Sequence, residues 1–400
     1  MPKIHFLHIS DLHFNKIGFE TETMREKLPK YIQSLQTSEG TFDYVFFTGD
    51  LRYAPNTNYP TDSIQYFKDL CSSSKVNPDR LYVVIGNHDV VRGDSKRLCA
   101  ITELENEYYL TDRVISSEKI SSLKEGRHEY YDLLREIVSS KQYDLHCDNH
   151  TLHFVDQTED INIVIVDSTI TYRENKENGL IIGAYNLKKL LNSCDISKPT
   201  IILSHYALDD LETTEQKAIL RTLKDNHVQL WLAGHKHNEI IRKELDYIYT
   251  AQSGNQTFEN GTSPGFIEGY LDTETGCGYF QVHKWNTSAG WGLYQTLVDY
   301  TDKKECTCVT DKTKYFFVLD DWRFANKINS MCELTVPSTI IDFLSKYNGS
   351  SFFTDTLMEE LNINQSELID ALNVLQSDGY IKPINYKKSH WEILKIPALF

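Results

Sequence analysis

The sequence predicts an α/β fold: a large domain of strands alternating with helices, followed by a smaller domain. Three observations carry this. Short apolar runs alternate with helical patterns along most of the chain. Five of those runs stop at residue types that bind metals, as expected where an α/β sheet delivers functional groups beyond the carboxyl ends of its strands. Finally, 400 residues exceed what one hydrophobic core usually serves.

The first apolar run, Ile4 to Ile9, leads into Ser10-Asp11-Leu12-His13. His5 and His8 lie inside it, where satisfied core histidines are commoner than ligands. A helical pattern from Glu22 to Leu35 follows, then a strand, Tyr44 to Phe47, that runs into Thr48-Gly49-Asp50. After a helix from Thr61 to Cys71, Leu81 to Ile85 reads as a strand ending in Gly86-Asn87-His88-Asp89. Apolar side chains there want burial, whereas Asn87, His88 and Asp89 need hydrogen-bond or metal partners once removed from water. Arg92 reads as a surface residue. His146, His150 and His153 have suggestive spacing, but Asp148-Asn149 reads as a turn and Leu152 to Val155 as the start of a strand.

Two further strands complete the set. Ile201 to Leu203 leads to Ser204-His205, and Val228 to Leu232 leads to Ala233-Gly234-His235-Lys236-His237. Between them, Thr214 to Lys224 has apolar residues at helical spacing, at Ala218, Leu220 and Leu223. Gly49, Gly86 and Gly234 stand where strands end, and each is expected to allow a sharp turn or a close approach. Residues 299–333 read as a polar linker holding one strand, Tyr315 to Leu319. Beyond it, helices are expected at Ser338 to Tyr347, Thr354 to Leu361 and Gln365 to Gly379, followed by a strand pair at Tyr380 to Ile384 and Trp391 to Leu394. The domains are therefore 1–298 and 334–400.

Composition narrows the function. Hydrophobic residues make up 40% and charged residues 24%, and no apolar run approaches the roughly 18 residues of a membrane span. The N-terminus lacks a secretory pattern, so a cytoplasmic location is expected. The eight cysteines are scattered, with Cys306 and Cys308 the closest pair, and are expected to be reduced thiols. A net charge of -16 disfavours long nucleic acids as partners.

Taken together, Asp11-x-His13, Gly49-Asp50, Gly86-Asn87-His88-Asp89, His205 and Gly234-His235-x-His237 resemble the motif set of the calcineurin-like metallophosphoesterases, across about residues 1–298. The resemblance implies two stacked mixed β-sheets flanked by helices, a four-layer sandwich. It also implies a two-metal site: Asp11, His13 and His237 on one ion, Asn87, His205 and His235 on the other, and Asp50 bridging. Imidazole and carboxylate suit Mn, Fe, Zn or Ni, with Mn the ion for assay, and a bridging carboxylate can hold two dications roughly 3.5 to 4 Å apart. The implied reaction is attack by a metal-bridged hydroxide on a phosphoester, with His88 as general acid oriented by Asp89.

Gly49-Asp50-Leu51-Arg52-Tyr53-Ala54 departs from the extended motif of phosphoprotein phosphatases. With Gly-Asn-His-Asp, it looks more like the class III cyclic-nucleotide phosphodiesterase branch, which points to a small phosphodiester or nucleotide substrate. A repair-type DNA nuclease, or a non-catalytic regulatory protein keeping the fold, are the alternatives. The C-terminal segment resembles a winged helix. Its third helix carries Glu367, Asp370 and Asp378 and no base, and residues 336–400 hold five lysines against eight acids. A protein partner is therefore expected there rather than DNA.

Overall fold

The computed structural model describes residues 3–39, 41–53, 58–176, 178–258, 264–294, 313–323, 325–327, 336–385, 387–394 and 396. The chain divides into two compact units, Met1–Val318 and Leu319–Phe400.

The strands of the first unit are β1 (Lys3–Ile9), β2 (Tyr44–Phe47), β3 (Leu81–Val83), β4 (Phe154–Gln157), β5 (Asn162–Val166), β6 (Thr200–Ser204), β7 (Leu230–Ala233), β8 (Ile240–Glu244), β9 (Ile248–Gln252), β10 (Gly265–Asp272), β11 (Cys277–Asn286), β12 (Gly290–Leu293) and β13 (Lys314–Val318). Its helices are α1 (Phe19–Glu39), α2 (Thr61–Ser74), α3 (Ser95–Glu107), α4 (Ser117–Leu123), α5 (His128–Ile137), α6 (Ser140–Cys147), α7 (Ala184–Leu191) and α8 (Thr213–Asp225). Two mixed sheets result. One runs β12-β11-β10-β1-β2-β3, with β13 also on β11, and the other runs β4-β5-β6-β7-β9-β8.

Strands β1, β2 and β3 are mutually parallel, as are β5, β6, β7 and β9. Central parallel strands are covered on both faces, which explains why IHFLHI, YVFF, NIVIV and TIILS are buried throughout. The two-residue period sorts their side chains. Leu7, Ile9, Val45 and Phe47 pack with Met24, Leu28 and Ile32 of α1 and with Phe67 and Leu70 of α2. Phe6, Tyr44, Phe46 and Tyr82 take the opposite face, where Tyr82 donates to Asp156 of β4 at 2.8 Å and Tyr44 to Thr158 at 3.1 Å. The sheets thus stack on an aromatic layer, with helices outside.

Two local readings change. Strand β3 stops at Val83, so Val84 and Ile85 already belong to the turn. The strand expected inside the linker exists as β13, but it pairs with β11 from Cys277↔Val318 to Gln281↔Lys314, which carries the first unit past residue 298. Residues 299–312, 324 and 328–333 of that linker lie outside the described residues. Cys71, Cys99, Cys147, Cys194 and Cys277 are free thiols, and Cys306, Cys308 and Cys332 lie outside the described residues. Among the described residues no helix is long and apolar enough to cross a membrane.

The second unit contains α9 (Ser338–Ser345), β14 (Ser351–Phe353), α10 (Thr354–Leu361), α11 (Gln365–Ser377), β15 (Ile381–Pro383) and β16 (His390–Ile393). Its sheet order is β14-β16-β15, antiparallel throughout. Leu368, Ala371, Leu372 and Leu375 line the buried face of α11 and pack with Ile340, Leu357 and Trp391. Asn364 caps α11 by accepting from Glu367 N at 2.9 Å. Strand β14 is three residues long and was not legible in the sequence.

Candidate metal centre

Each expected ligand sits just past the carboxyl end of a strand: Asp11 and His13 after β1, Asp50 after β2, Asn87 after β3, His205 after β6, and His235 and His237 after β7. The two sheets therefore contribute to one cluster. Backbone hydrogen bonds hold the turns together, from Asp11 N to Gly49 O, His13 N to Asp50 O and Gly234 N to His205 O, each 3.0 Å. Asp11, His13, Asp50, His235 and His237 all have φ between 46° and 75°. Non-glycine residues rarely adopt that conformation, and such strain gathers where surrounding structure enforces a functional geometry.

Two of the glycines are explained differently from one another. Gly49 has φ +99° and makes the expected turn. Gly86 has φ -98°, so its role is close approach: a Cβ there would lie 2.1 Å from Asp50 N and Asp50 Oδ1. That closeness lets His88 N donate to Asp50 Oδ1 at 2.8 Å.

The side chains converge. Asp11, His13 and His237 form one group whose donor atoms lie within 4.8 Å of one another, Asp11, Asp50 and His205 a second, and His13, Asp50 and His88 a third. His13 Nε2 and His237 Nε2 are 3.0 Å apart, and Asp11 Oδ1 lies 3.3 Å from His237 Nε2. Asp50 Oδ2 is 3.4 Å from His205 Nε2 and 3.9 Å from His88 Nε2, and Asn87 Oδ1 is 2.8 Å from His205 Nε2. Asp50 thus stands between the groups. His235 enters none of them, its ring lying 4.3 Å from Tyr206 and 5.4 Å from His205. His88, expected as an acid and not a ligand, falls within reach of His13 and Asp50.

The electrostatics fit cations. Burial opposes charge on Asp50, but His205 above all, with His88 and His13, brings its carboxyl well below the usual range. Burial likewise opposes charge on His205, and Asp50 more than offsets it, lifting the imidazole to about 9. Two buried carboxylates here demand positive charge. Asp11 Oδ1 is buried with His237 Nε2 as its near neighbour, and His205 Nδ1 donates to Thr48 O at 2.7 Å, which leaves Nε2 directed at Asn87 and Asp50. Such backbone anchoring is what orients a histidine ligand. The donors are nitrogen and oxygen without thiolate, a set that suits Mn, Fe, Zn or Ni. The residues present therefore fit divalent metal ions.

Some neighbours escaped sequence reasoning. Tyr53 stacks on His88, with ring centroids 5.4 Å apart and planes 27° from parallel. Asp89 does not serve His88 as expected: its Oδ1 accepts from Leu51 N at 3.0 Å and Tyr59 OH at 3.0 Å, and its Oδ2 from Gly86 N at 2.8 Å. It braces one ligand turn against another. Arg52, 1% exposed, donates to the carbonyls of His88 and Asp89 at 3.0 Å each. No local pattern announces these roles, because each depends on a contact dozens of residues away. Elsewhere, Arg92 pairs with exposed Glu174 at 2.9 Å, His5 bonds Glu268 at 2.6 Å, and His8 bonds Thr48 at 2.9 Å. His146 and His153 are buried in the core, away from this cluster.

A profile of calcineurin-like phosphoesterases matches residues 4–239, more than half of the chain. The chain belongs to the calcineurin-like phosphoesterase family. It is similar to the uncharacterized metallophosphoesterase-like protein YydB of Bacillus subtilis (strain 168), 26% identical over 297 residues. That match covers 71% of this chain and 60% of the relative, so the chain spans less than two-thirds of YydB's length. Among solved structures it is similar to a dimetal phosphatase from Danio rerio, with 13% identity, 72% of this chain and 98% of that one covered, and a TM-score of 0.42. It is also similar to GAP50, the anchor in the inner membrane complex of Plasmodium, with 13% identity, 70% and 84% covered, and a TM-score of 0.41. The family is one of metal-dependent phosphoester hydrolases, and the convergent Asp and His groups supply donors that divalent ions would take.

Proposed function

We propose that this protein hydrolyses a small phosphodiester, in the manner of the class III cyclic-nucleotide phosphodiesterase branch, at the cluster around Asp50. The observation that carries this reading is the position of Asp50, whose carboxylate lies between two groups of ligand-type side chains with His88 Nε2 3.9 Å away. In this reading Asp11, His13 and His237 would hold one ion, Asn87, His205 and His235 the other, and Asp50 would serve both. Two dications held there would neutralise phosphate charge and bring the pKa of a bound water toward neutral.

The chain's own residues do the rest. Asp50 sets the spacing of the two groups, and Asp11 completes the negative charge that retains cations. His88 Nε2 gives its proton to the departing oxygen. Burial pushes His88 below its ordinary value, which makes its protonated form a stronger acid, and an adjacent phosphate favours that form. Tyr53 restrains the imidazole by stacking.

A small diester suits the net charge of -16 better than DNA. The second unit, with three helices and a three-stranded sheet, is read as a winged-helix-like module for docking a protein, and the site of action as the cytoplasm. The test is a hydrolysis panel with and without Mn: bis(p-nitrophenyl) phosphate, cyclic AMP, cyclic GMP, cyclic dinucleotides, and single- and double-stranded DNA. Mn-dependent cleavage of small diesters with DNA untouched is expected. Degradation of DNA instead would replace this reading with a nuclease, and inactivity with both ions bound would replace it with a regulatory role.

A further inference from the structure

Behind the carboxyl end of β3 lies a small cavity that none of the ligand candidates touches. Val84, Ile85, Lys124, Arg127, His146 and Asp167 are among its walls, and it offers about 20 Å³ to the centre of a water-sized sphere. That suffices for one small occupant, since a single water needs roughly 10–15 Å³ by the same measure. It is too little for phosphate or sulfate.

The charge around it does not balance. Lys124 and Arg127 are 7% and 2% exposed, and Arg97 beside them is 3% exposed. Among the described residues, Arg127 alone of these three cations forms an ion pair with a carboxylate, that of Asp167, which is the one Asp or Glu among the cavity walls. Arg97 donates to the carbonyls of Leu123 and Thr169 at 3.2 and 2.9 Å, and Lys124 Nζ to that of Asp148 at 2.7 Å. Carbonyls satisfy hydrogen bonds but supply no charge, and uncompensated buried charge is costly. Arg127 Nε and His146 Nε2 are sealed from solvent on the cavity wall; among the described residues His146 Nε2 has no hydrogen-bond partner, while Arg127 also meets the hydroxyl of the wall residue Tyr131.

We infer that this cavity is a structural anion site that holds one halide-sized anion against Arg127, Lys124 and His146. A water there would occupy the hydrogen-bonding groups and leave the excess positive charge in place, whereas chloride answers both. The present environment already disfavours the Lys124 ammonium, which burial and Arg127 pull down to about 8. The site is tied to the ligand turns: Val91 N donates to Gly126 O at 2.9 Å and Tyr130 OH to Val83 O at 3.3 Å. An anion would therefore clamp the segment 124–130 onto the strand that presents Asn87 and His88. This inference is independent of the proposed hydrolysis.

The test uses the whole protein. Thermal unfolding is followed in sodium chloride, sodium bromide and sodium gluconate at equal ionic strength, and crystals grown in bromide are measured at its absorption edge. The expected result is a saturable rise in Tm of about 2 °C or more in either halide over gluconate, with an anomalous peak beside Arg127 Nε. Lys124→Gln should flatten the halide response. Equal Tm in all three salts, a halide response undiminished in K124Q, or a cavity holding water without a bromide signal would overturn it. Should K124Q fail to fold, the bromide map alone decides.

Discussion

At the residue scale, the two roles assigned around Asp50 separate cleanly. Asp50→Ala should lower bound metal, measured by elemental analysis of the reconstituted protein, because it removes the carboxylate common to two donor groups. His88→Ala should keep its metal and slow diesters with poor leaving groups by about 10² to 10⁴, while an activated nitrophenolate suffers less. Metal loss in His88→Ala would instead make His88 a ligand, as its reach to His13 and Asp50 allows. Gly86→Ala should abolish turnover and lower stability by about 1–3 kcal/mol, since the new methyl must displace Asp50 from a 2.1 Å clash.

A fourth residue speaks to pH. Burial favours the neutral acid of Glu268, but hydrogen bonds from His283 and His5 outweigh it and bring the carboxyl from 4.5 to about 2. With the folded value below the unfolded one, the stabilisation is full above the unfolded value and is lost as pH falls from about 5 toward 2. It amounts to on the order of 3 kcal/mol. Urea unfolding across that range should show a steeper loss for the native chain than for Glu268→Gln. Parallel curves would mean that the pair of histidines contributes nothing.

At the scale of elements, strand ends were legible and strand partners were not. The helices at Thr61, Thr354 and Gln365 begin where the pattern places them, because apolar spacing is a local property, and at Gln365 the Asn364 cap marks the start as well. Strand β13 was also visible as an apolar run, but its attachment to β11 could not be, since pairing joins residues more than thirty positions apart. The consequence is measurable. A chain ending at Val318 should unfold at a higher temperature than one ending at residue 298, which strips Phe317 from Phe280, a ring pair 4.7 Å apart. Equal Tm values would show that β13 adds no stability to its sheet.

At the scale of the whole molecule, the first unit contains every candidate ligand and the second contains none. Hydrolysis of bis(p-nitrophenyl) phosphate by residues 1–318 should therefore match that of the full chain. A lost activity would assign the second unit a part in the site. Pull-down with that unit deleted is the control for the protein docking proposed for it.

What the sequence by itself determined is the chemistry: nitrogen and oxygen donors, without thiols, at the ends of five strands in an α/β chain. Donor type and strand-end position are properties of a few adjacent residues, so they can be read without a fold. Tertiary structure alone decided which donors meet. It set His235 against Tyr206, brought His88 within reach of Asp50, turned Asp89 to brace the ligand turns, and stacked Tyr53 on the imidazole. Those outcomes turn on ångström-scale distances between segments from two separate sheets. Distances of that kind are fixed by strand register and by packing across the core, and neither is a local property of the chain.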